Sequence, residues 1–293
     1  MAKKPKKNEA KIKIIFAILM MLSGMAIISY PFVSNMIAER NSSMAIQEMN
    51  KNMENMEQEK LDAAKEAARK YNAQLSSAVV RDEAGEADDV GMGYVDMLGL
   101  GESLGYITIP KIHVELPIYE GTSEEVLLKG VGHMTQSSYP IGGESTHSVL
   151  TGHRGLPSAL LFTDLDELEI GDEFYLHILD EIIAYKVDQV KVVEPNDGGD
   201  LAIIEGEDYC TLVTCTPYSI NTHRLLVRGL RTEYVEEVEN SKVTYQELRS
   251  GTVVRRLVDV WPWFLAAGIV VIGSEFSLMV ALIRRKRRRD EDD

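Results

Sequence analysis

Two long apolar segments, one near each end of the chain, constrain the fold more than any other feature of the sequence. The first extends from Ile14 to Ala38 without a charged side chain, and the second covers residues 260–283 (VWPWFLAAGIVVIGSEFSLMVALI). About 20 apolar residues, at about 1.5 Å rise per residue, cross the roughly 30 Å hydrocarbon layer of a bilayer. The sequence therefore predicts two transmembrane helices, over 14–34 and 260–283.

Each segment has a competing interpretation. A basic start (KKPKK) before an apolar run is also typical of a cleaved signal peptide, but this run is long for one and no A-x-A cleavage site follows it. The second segment could be a soluble amphipathic helix, although residues 261–274 carry no charge. Trp261 and Trp263 at its edge favour the headgroup zone. Glu275 within it needs a partner, a proton or a neighbouring helix.

Basic residues cluster outside both segments, as six lysines before Ile14 and as RRKRRR at 284–289. Because such flanks remain in the cytoplasm, both termini are expected to be cytoplasmic and the region between the spans extracellular. The chain has 31 basic and 46 acidic residues, and the two tails hold many of the basic ones, so the extracellular part is strongly acidic. An acidic surface disfavours nucleic acid as a partner.

Composition divides the region between the spans into three parts. Residues 35–75 are rich in good helix formers and lack glycine and proline, which predicts a stalk of one or two helices packed on one side only. Residues 76–102 are acidic and glycine-rich without a sustained period, and are either a linker or a lid. From Tyr106 onward, alternating apolar and polar residues predict many short strands, with a hairpin at Asp180–Glu181, and so a closed β-barrel or a sandwich.

The chain has two cysteines, Cys210 and Cys215, which lie on one predicted strand. At about 3.3 Å per residue they are roughly 16 Å apart on opposite faces, too far for a disulfide. Cys210 is interpreted as a small buried side chain. Cys215 ends a β-branched run (TLVTCTP), and an unpaired thiol there in an exported domain suggests a chemical function.

Three reactive side chains are expected where strands meet loops: His153 in TGHRG, Cys215 in TCTP and Arg224 in NTHR. A nucleophilic thiol needs a group that moves protons and a group that stabilises an oxyanion. Imidazole does the first near neutral pH, and a permanently charged guanidinium can do the second. The alternatives are a turn histidine at His153 and a surface ion pair at Arg224.

The other histidines are weaker candidates. His223 precedes Arg224 and so points to the opposite face of its strand, and His147 lies near the start of the strand that leads to His153. A zinc site built from His153, Cys215 and His223 would lack a fourth ligand and a close ligand pair, so neither a metal nor a cofactor is expected. The remaining histidines are interpreted as structural: His113, His133 and His177.

Three motifs, GYITIPKIHVELPIYEGT, SVLTGHRG and TLVTCTPYSINTHRLLVRG, closely resemble those of the sortases, specifically the class C, pilin-polymerising sortases. The resemblance covers roughly residues 103–235. It implies a mainly β fold, the sortase eight-stranded β-barrel with short helices, carried here on an N-terminal helical stalk and two transmembrane helices. It also implies that Cys215, His153 and Arg224 are catalytic, and that Thr214 and Thr216 shape the substrate pocket.

The resemblance further implies the reaction. Sortases cleave an LPxTG-like sorting signal between Thr and Gly through a thioester on the cysteine. Class C enzymes typically pass the acyl group to a lysine amine of another pilin, which assembles a pilus. Class C lids usually carry an Asp-Pro-aromatic motif, but residues 76–102 contain no proline, so inhibition by a lid is in doubt.

The predicted organisation is a cytoplasmic tail (1–13), a transmembrane helix (14–34), a helical stalk (35–75), a lid or linker (76–102), a catalytic barrel (103–238), a juxtamembrane segment (239–259), a transmembrane helix (260–283) and a cytoplasmic tail (284–293). Two alternatives remain open. One is a housekeeping-type sortase that attaches surface proteins to peptidoglycan. The other is a non-catalytic surface scaffold.

Overall fold

The computed structural model describes residues 6–75 and 103–235. Their helical part begins with two long helices, α1 (Lys6–Glu54) and α2 (Gln58–Gln74). The predicted stalk packs on one side, since Leu61, Ala64 and Ala68 of α2 are buried and Met53 and Met56 pack against the same core. The stalk does not begin as a separate helix, because α1 runs without interruption from the uncharged segment into it.

Within the described residues, eight strands form one closed barrel, which confirms the eight-stranded barrel that the resemblance implies. The strands are β1 (Ser103–Ile109), β2 (Val114–Glu120), β3 (Val131–His133), β4 (Thr146–Thr151), β5 (Glu173–Ile178), β6 (Glu181–Val193), β7 (Asp208–Thr216) and β8 (His223–Thr232). Around the barrel they follow the order β1-β2-β3-β4-β7-β8-β6-β5.

Short helices occupy the connections between the strands. The helix α3 (Glu124–Lys129) lies between β2 and β3, and its N-cap Ser123 accepts a hydrogen bond from the Val126 amide. Single 3₁₀ turns are formed by Pro110–Ile112, Leu165–Glu167 and Gly199–Leu201. The predicted hairpin is confirmed, with β5 and β6 antiparallel and Ile178 paired with Glu181.

The pairing of the strands defines two ends of the barrel. The parallel strands β4 and β7 both finish at one end, called the lower end here, and the antiparallel β8 begins there. At the opposite, upper end, β1 begins and the β5–β6 hairpin turns. Strand ends that share one end of a barrel bring their following loops together, and a site can be built there from residues distant in sequence.

The barrel has an apolar interior and a smaller apolar cluster outside it. The interior is filled by large buried side chains such as Ile107, Phe162, Phe174 and Tyr185. Because successive side chains of a strand point to opposite faces, the residues that alternate with these interior ones lie on the outer face of the barrel. There Val149, Val213 and Leu226 of three neighbouring strands form a second buried cluster together with Met134, Val193 and Leu201.

The helix α2 is held to the barrel by specific contacts. The carboxamide of Asn72 in α2 is buried, donates to Tyr139 O (3.1 Å) and accepts from Tyr139 N (2.7 Å). Lys65 of α2 lies 2.6 Å from Asp180 Oδ1 and 2.7 Å from Glu181 Oε1 at the β5–β6 hairpin. These contacts fix α2 against the upper end.

The portion of α1 that begins at Ile14 is long and apolar enough to cross a membrane, and it is the one such helix among the described residues. Its apolar side chains are exposed. The predicted lid or linker, the juxtamembrane segment, the second transmembrane helix and both tails lie outside the described residues, apart from residues 6–13 at the start of α1.

Candidate active site

Cys215 is the penultimate residue of β7, a strand built from β-branched and apolar residues (DYCTLVTCT). Cys210, Leu212 and Thr214 alternate toward the barrel interior, whereas Cys215 shares the outer face with Val213. Cys215 is half-buried and Cys210 is fully buried, and neither forms a disulfide. Burial raises the pKa of the Cys210 thiol well above its usual value, which keeps that side chain protonated and inert.

Arg224 lies directly opposite Cys215. In the antiparallel β7–β8 ladder these two residues are register partners, and Thr216 pairs with His223 next to them. Directly opposite residues project from the same face with Cβ atoms about 5 Å apart. The Arg224 guanidinium is half-buried and its Nη1 donates to His223 O (3.2 Å). The strand pairing thus places the backbone positions of Arg224 and Cys215 side by side on one face of the barrel.

His153 follows the end of β4, the strand that runs parallel to β7 on the other side. The β4–β7 register ends with Thr151 opposite Val213. Two hydrogen bonds carry it one residue further, from Gly152 N to Val213 O (3.0 Å) and from Thr214 Oγ1 to Gly152 O (2.7 Å). The backbone of His153 therefore emerges level with that of Cys215.

The imidazole of His153 lies between the barrel and α3. Its Nε2 is buried and has no hydrogen-bond partner among the described residues. The carboxylate of Glu124, in the first turn of α3, is 3.5 Å away. This distance and geometry give an electrostatic contact rather than a hydrogen bond, so the nitrogen remains available to a ligand.

The loop after His153 is kept close to the barrel by glycine and by an aromatic ring. A Cβ on Gly152 would come within 2.7 Å of the Phe162 ring, so only glycine fits there. The Phe162 amide donates to His153 O (3.1 Å), which closes the loop. Gly155 has a φ of +79°, which favours glycine, and a Cβ there would come within 3.2 Å of the Tyr218 ring of the β7–β8 loop.

Thr214 and Thr216, predicted to shape the pocket, have different surroundings. The Thr214 side chain is buried and its hydroxyl holds Gly152, so any effect on substrate would act through the position of the His153 loop. Thr216 is half-buried, and its hydroxyl accepts a hydrogen bond from Arg154 Nη1 (3.2 Å). A role of these two residues in substrate binding stays a prediction.

Arg154 was missed by reasoning from the sequence, where it is simply the residue after the histidine. Its side chain is only 8% exposed. Its Nη2 donates to Asp166 Oδ2 (2.6 Å) while its Nη1 reaches Thr216. One buried guanidinium thus joins the loop of His153 to the residue after Cys215. Arginine suits this position because its two terminal nitrogens can donate to two different partners at once. The HRG pattern gave its position, but only the fold shows that it is buried.

The histidines interpreted as structural, and the weaker candidates, lie in defined surroundings. His147 is buried, its Nδ1 is 2.9 Å from Ala202 O and its Nε2 is 2.7 Å from Thr211 Oγ1, and burial lowers its pKa to about 4. His223 is part-exposed and lies 3.4 Å from Glu194. In the part of the chain that the structure describes, no group of three or more His, Cys, Asp or Glu could hold a metal ion.

Comparison with known proteins identifies the family. The sortase domain matches residues 107–232. Sortase D of Bacillus subtilis (strain 168) is 37% identical over 119 residues, which are 41% of this chain but only 57% of that relative. The solved structure of sortase C-1 from Streptococcus pneumoniae is 48% identical with a TM-score of 0.61, over 65% of this chain and 98% of that one. The chain belongs to the sortase family.

A second solved structure, the pilus-related sortase C of Group B Streptococcus, is 44% identical with a TM-score of 0.59 and covers 64% of this chain and 97% of that one. The structural neighbours of this sortase are thus class C enzymes, as its motifs indicated. Sortases are cysteine transpeptidases, so the chain is an enzyme of acyl transfer.

Proposed function

We propose that this sortase is a membrane-anchored transpeptidase that cleaves an LPxTG-like sorting signal between Thr and Gly and transfers the acyl group to a lysine amine of a pilin subunit. The observation that carries the proposal is the register of β7, with Arg224 opposite Cys215 on one side and the end of β4, leading to His153, on the other. A thiol, a cation and an imidazole at one barrel end suit acyl transfer.

The first half of the reaction makes a thioester. The thiol of Cys215 gives its proton to His153 as its Sγ forms a bond to the Thr carbonyl carbon, and the guanidinium of Arg224 holds the carbonyl oxygen as it becomes negative. The C–N bond to Gly then breaks, and His153 gives its proton to the departing amine. The Glu124 carboxylate lies 3.5 Å from His153 Nε2.

The second half transfers the acyl group. An incoming amine loses a proton to His153 and attacks the thioester carbonyl. The C–S bond then breaks, and His153 returns the proton to the Cys215 sulfur, which regenerates the thiol. A lysine of another pilin as the acceptor is supported by the likeness to a sortase C that is described as pilus-related. Attachment to a cell-wall amine is the competing outcome, and the acceptor experiment below separates the two.

Anchoring in the cell membrane, with the barrel outside and both termini in the cytoplasm, is supported by the exposed apolar part of α1 and by the basic residues before Ile14 and at 284–289. The second span over 260–283 is proposed from the sequence alone. Neither a metal nor a cofactor is required by these steps.

Capture of the thioester tests the nucleophile. The full chain is incubated with an LPxTG peptide and examined by intact-protein mass spectrometry after acid quenching. We expect the acyl adduct on the wild type and on Cys210→Ala, a matched control on the same strand, and no adduct on Cys215→Ala. An adduct on Cys215→Ala would show that another residue is the nucleophile, and no adduct on the wild type would contradict the LPxTG-like signal as its substrate.

The acceptor is tested with the same donor peptide. A folded pilin with its lysines and a peptidoglycan stem peptide are offered together at equal amine concentration. We expect the isopeptide product with the pilin to dominate. Dominance of the stem-peptide product would support the housekeeping-type function instead.

A further inference from the structure

Two hydrogen bonds join α1 to the loop that follows His153. Ser34 Oγ donates to Ser158 O (3.1 Å), and Leu160 N donates to Asn35 Oδ1 (2.9 Å). The segment involved is residues 156–161 (LPSALL), called the 156–161 loop here. The helix that carries the uncharged segment thus holds a loop of the candidate active site directly.

Contacts further along α1 give the direction of the barrel relative to this helix. Ser103, the first residue of β1 at the upper end, contacts Met49 of α1 (3.5 Å). Asn35 contacts the loop at the lower end. At about 1.5 Å per residue, the helix rises roughly 21 Å between Asn35 and Met49, close to the length of a seven-residue strand. The lower end therefore faces the N-terminal, uncharged part of α1.

The contacts of Ser34 and Asn35 lie at the position along α1 where the edge of a bilayer is expected. A hydrocarbon layer of about 30 Å takes up about 20 helical residues, which from Ile14 end at Val33. Ser34 and Asn35 come next, and the first charged residues, Glu39 and Arg40, follow within two turns. A loop bonded to Ser34 and Asn35 lies in the headgroup zone.

The 156–161 loop has a surface suited to that zone. It carries no charge, although the domain around it is acidic. Ala159 and Leu161 are buried and hold the loop to the core, whereas Pro157 and Leu160 are exposed, Leu160 by 50%. Exposed apolar side chains at the level of the headgroups gain free energy by entering the acyl boundary.

We propose that the 156–161 loop is a membrane contact that inserts Pro157 and Leu160 into the outer lipid interface, so that the candidate active site opens next to the bilayer surface. The inference rests on the membrane anchoring proposed above. The partner is the lipid bilayer itself, contacted through its apolar boundary rather than through anionic headgroups, because acidic residues follow the loop at 164–169.

Site-specific fluorescence in lipid nanodiscs tests the contact. The full chain carrying Cys215→Ala receives Leu160→Cys, is labelled with an environment-sensitive dye and is placed in phosphatidylcholine nanodiscs. Cys210 is fully buried and does not take up the dye. We expect a blue-shifted emission and strong quenching by nitroxide lipids labelled near the headgroup.

Two matched positions make the result decisive. Ile204→Cys, exposed near the upper end, should be quenched several-fold less than Leu160→Cys. Phe32→Cys, exposed two residues before Ser34, should be quenched strongly and reports the anchor alone. Quenching at Phe32→Cys but not at Leu160→Cys would overturn the loop contact and leave the anchoring intact. No quenching at Phe32→Cys would overturn the anchoring itself.

The hydrogen bonds from α1 are tested in the same system. Asn35→Ala removes the acceptor of the Leu160 amide. We expect it to reduce quenching at Leu160→Cys measurably while leaving Phe32→Cys unchanged. Equal quenching at Leu160→Cys with and without Asn35→Ala would show that α1 does not hold the loop at this level.

Discussion

At the scale of single residues, the two thiols of β7 show how strand alternation separates a structural side chain from a reactive one. Cys210 faces the interior between Leu212 and Tyr185, and Cys215 faces outward at the end of the strand. The same backbone carries both, so their difference comes from burial alone. Accessibility rather than residue type then decides which thiol can react.

Alkylation measures this difference. We expect iodoacetamide at neutral pH to add one label to the native chain, at Cys215, because Cys210 is fully buried and its pKa is raised. Intact mass and peptide mapping give the site. Cys215→Ala should stay unlabelled until the protein is unfolded, and two labels on the native protein would contradict the assignment of Cys210 to the core.

Arg154 is expected to position the site rather than to touch substrate. Arg154→Lys keeps the charge but cannot bridge Asp166 and Thr216 together. We predict a fall in kcat of about tenfold, equal to about 1.4 kcal/mol of transition-state stabilisation, with little change in KM. Steady-state kinetics with an LPxTG peptide measure both constants.

Arg228→Lys is the matched control for that variant. Arg228 forms a bidentate pair with Asp188 (3.0 and 2.7 Å) on β8, away from Cys215. Its replacement removes a similar pair and should leave kcat nearly unchanged. Equal losses in both variants would indicate a general loss of stability instead of a positioning role.

At the scale of elements, the site depends on β4 lying beside β7. Near the start of this parallel pair, a buried hydrogen bond joins His147 Nε2 of β4 to Thr211 Oγ1 of β7. Burial lowers the pKa of His147 to about 4, below the value of about 6.5 for an unfolded chain. The unfolded state therefore binds this proton more tightly than the folded state.

This sign fixes the pH dependence. The stability contributed by neutral His147 is fully present above about pH 6.5 and is lost as the pH falls toward 4, by about 3 kcal/mol in total. We predict that His147→Gln, though less stable at pH 7, loses less stability between pH 7 and 4 than the wild type. Urea unfolding at several pH values, with His223→Gln as the control for an exposed imidazole, measures it.

The elements also show what a sequence can predict and what it cannot. The alternation of apolar and polar residues predicted the strands, the hairpin at Asp180 and the opposite faces of the two cysteines. These features depend on residues that are neighbours along the chain. The neighbours of β7, which are β4 and β8, follow from closure of the barrel. Burial of Arg154 and Thr214 depends on those non-local neighbours, so their surroundings were not predictable from single motifs.

At the scale of the whole molecule, the charge of the chain bears on the choice of acceptor. The net charge is −15, and the region between the proposed spans is more acidic than the tails. A field of one sign raises the local concentration of oppositely charged reactants. A lysine amine is therefore attracted to this enzyme, and a neutral nucleophile is not.

Salt should weaken that preference. Raising the ionic strength from about 0.1 M to about 1 M shortens the Debye length from about 10 Å to about 3 Å. We predict that the ratio of transfer onto a lysine peptide to hydrolysis falls several-fold over this range. The ratio with hydroxylamine, which is neutral at pH 7, should change little, and parallel changes with both nucleophiles would rule out long-range attraction.

Because α1 is continuous from the apolar segment into the stalk, removing its N-terminal part to obtain a soluble fragment also removes contacts to the barrel. A truncation that ends after Asn35 deletes Ser34 and Asn35, the two residues that hydrogen-bond to the backbone of Ser158 and Leu160. Turnover measured on such a shortened protein would then describe an enzyme whose 156–161 loop has lost both of these hydrogen bonds to α1.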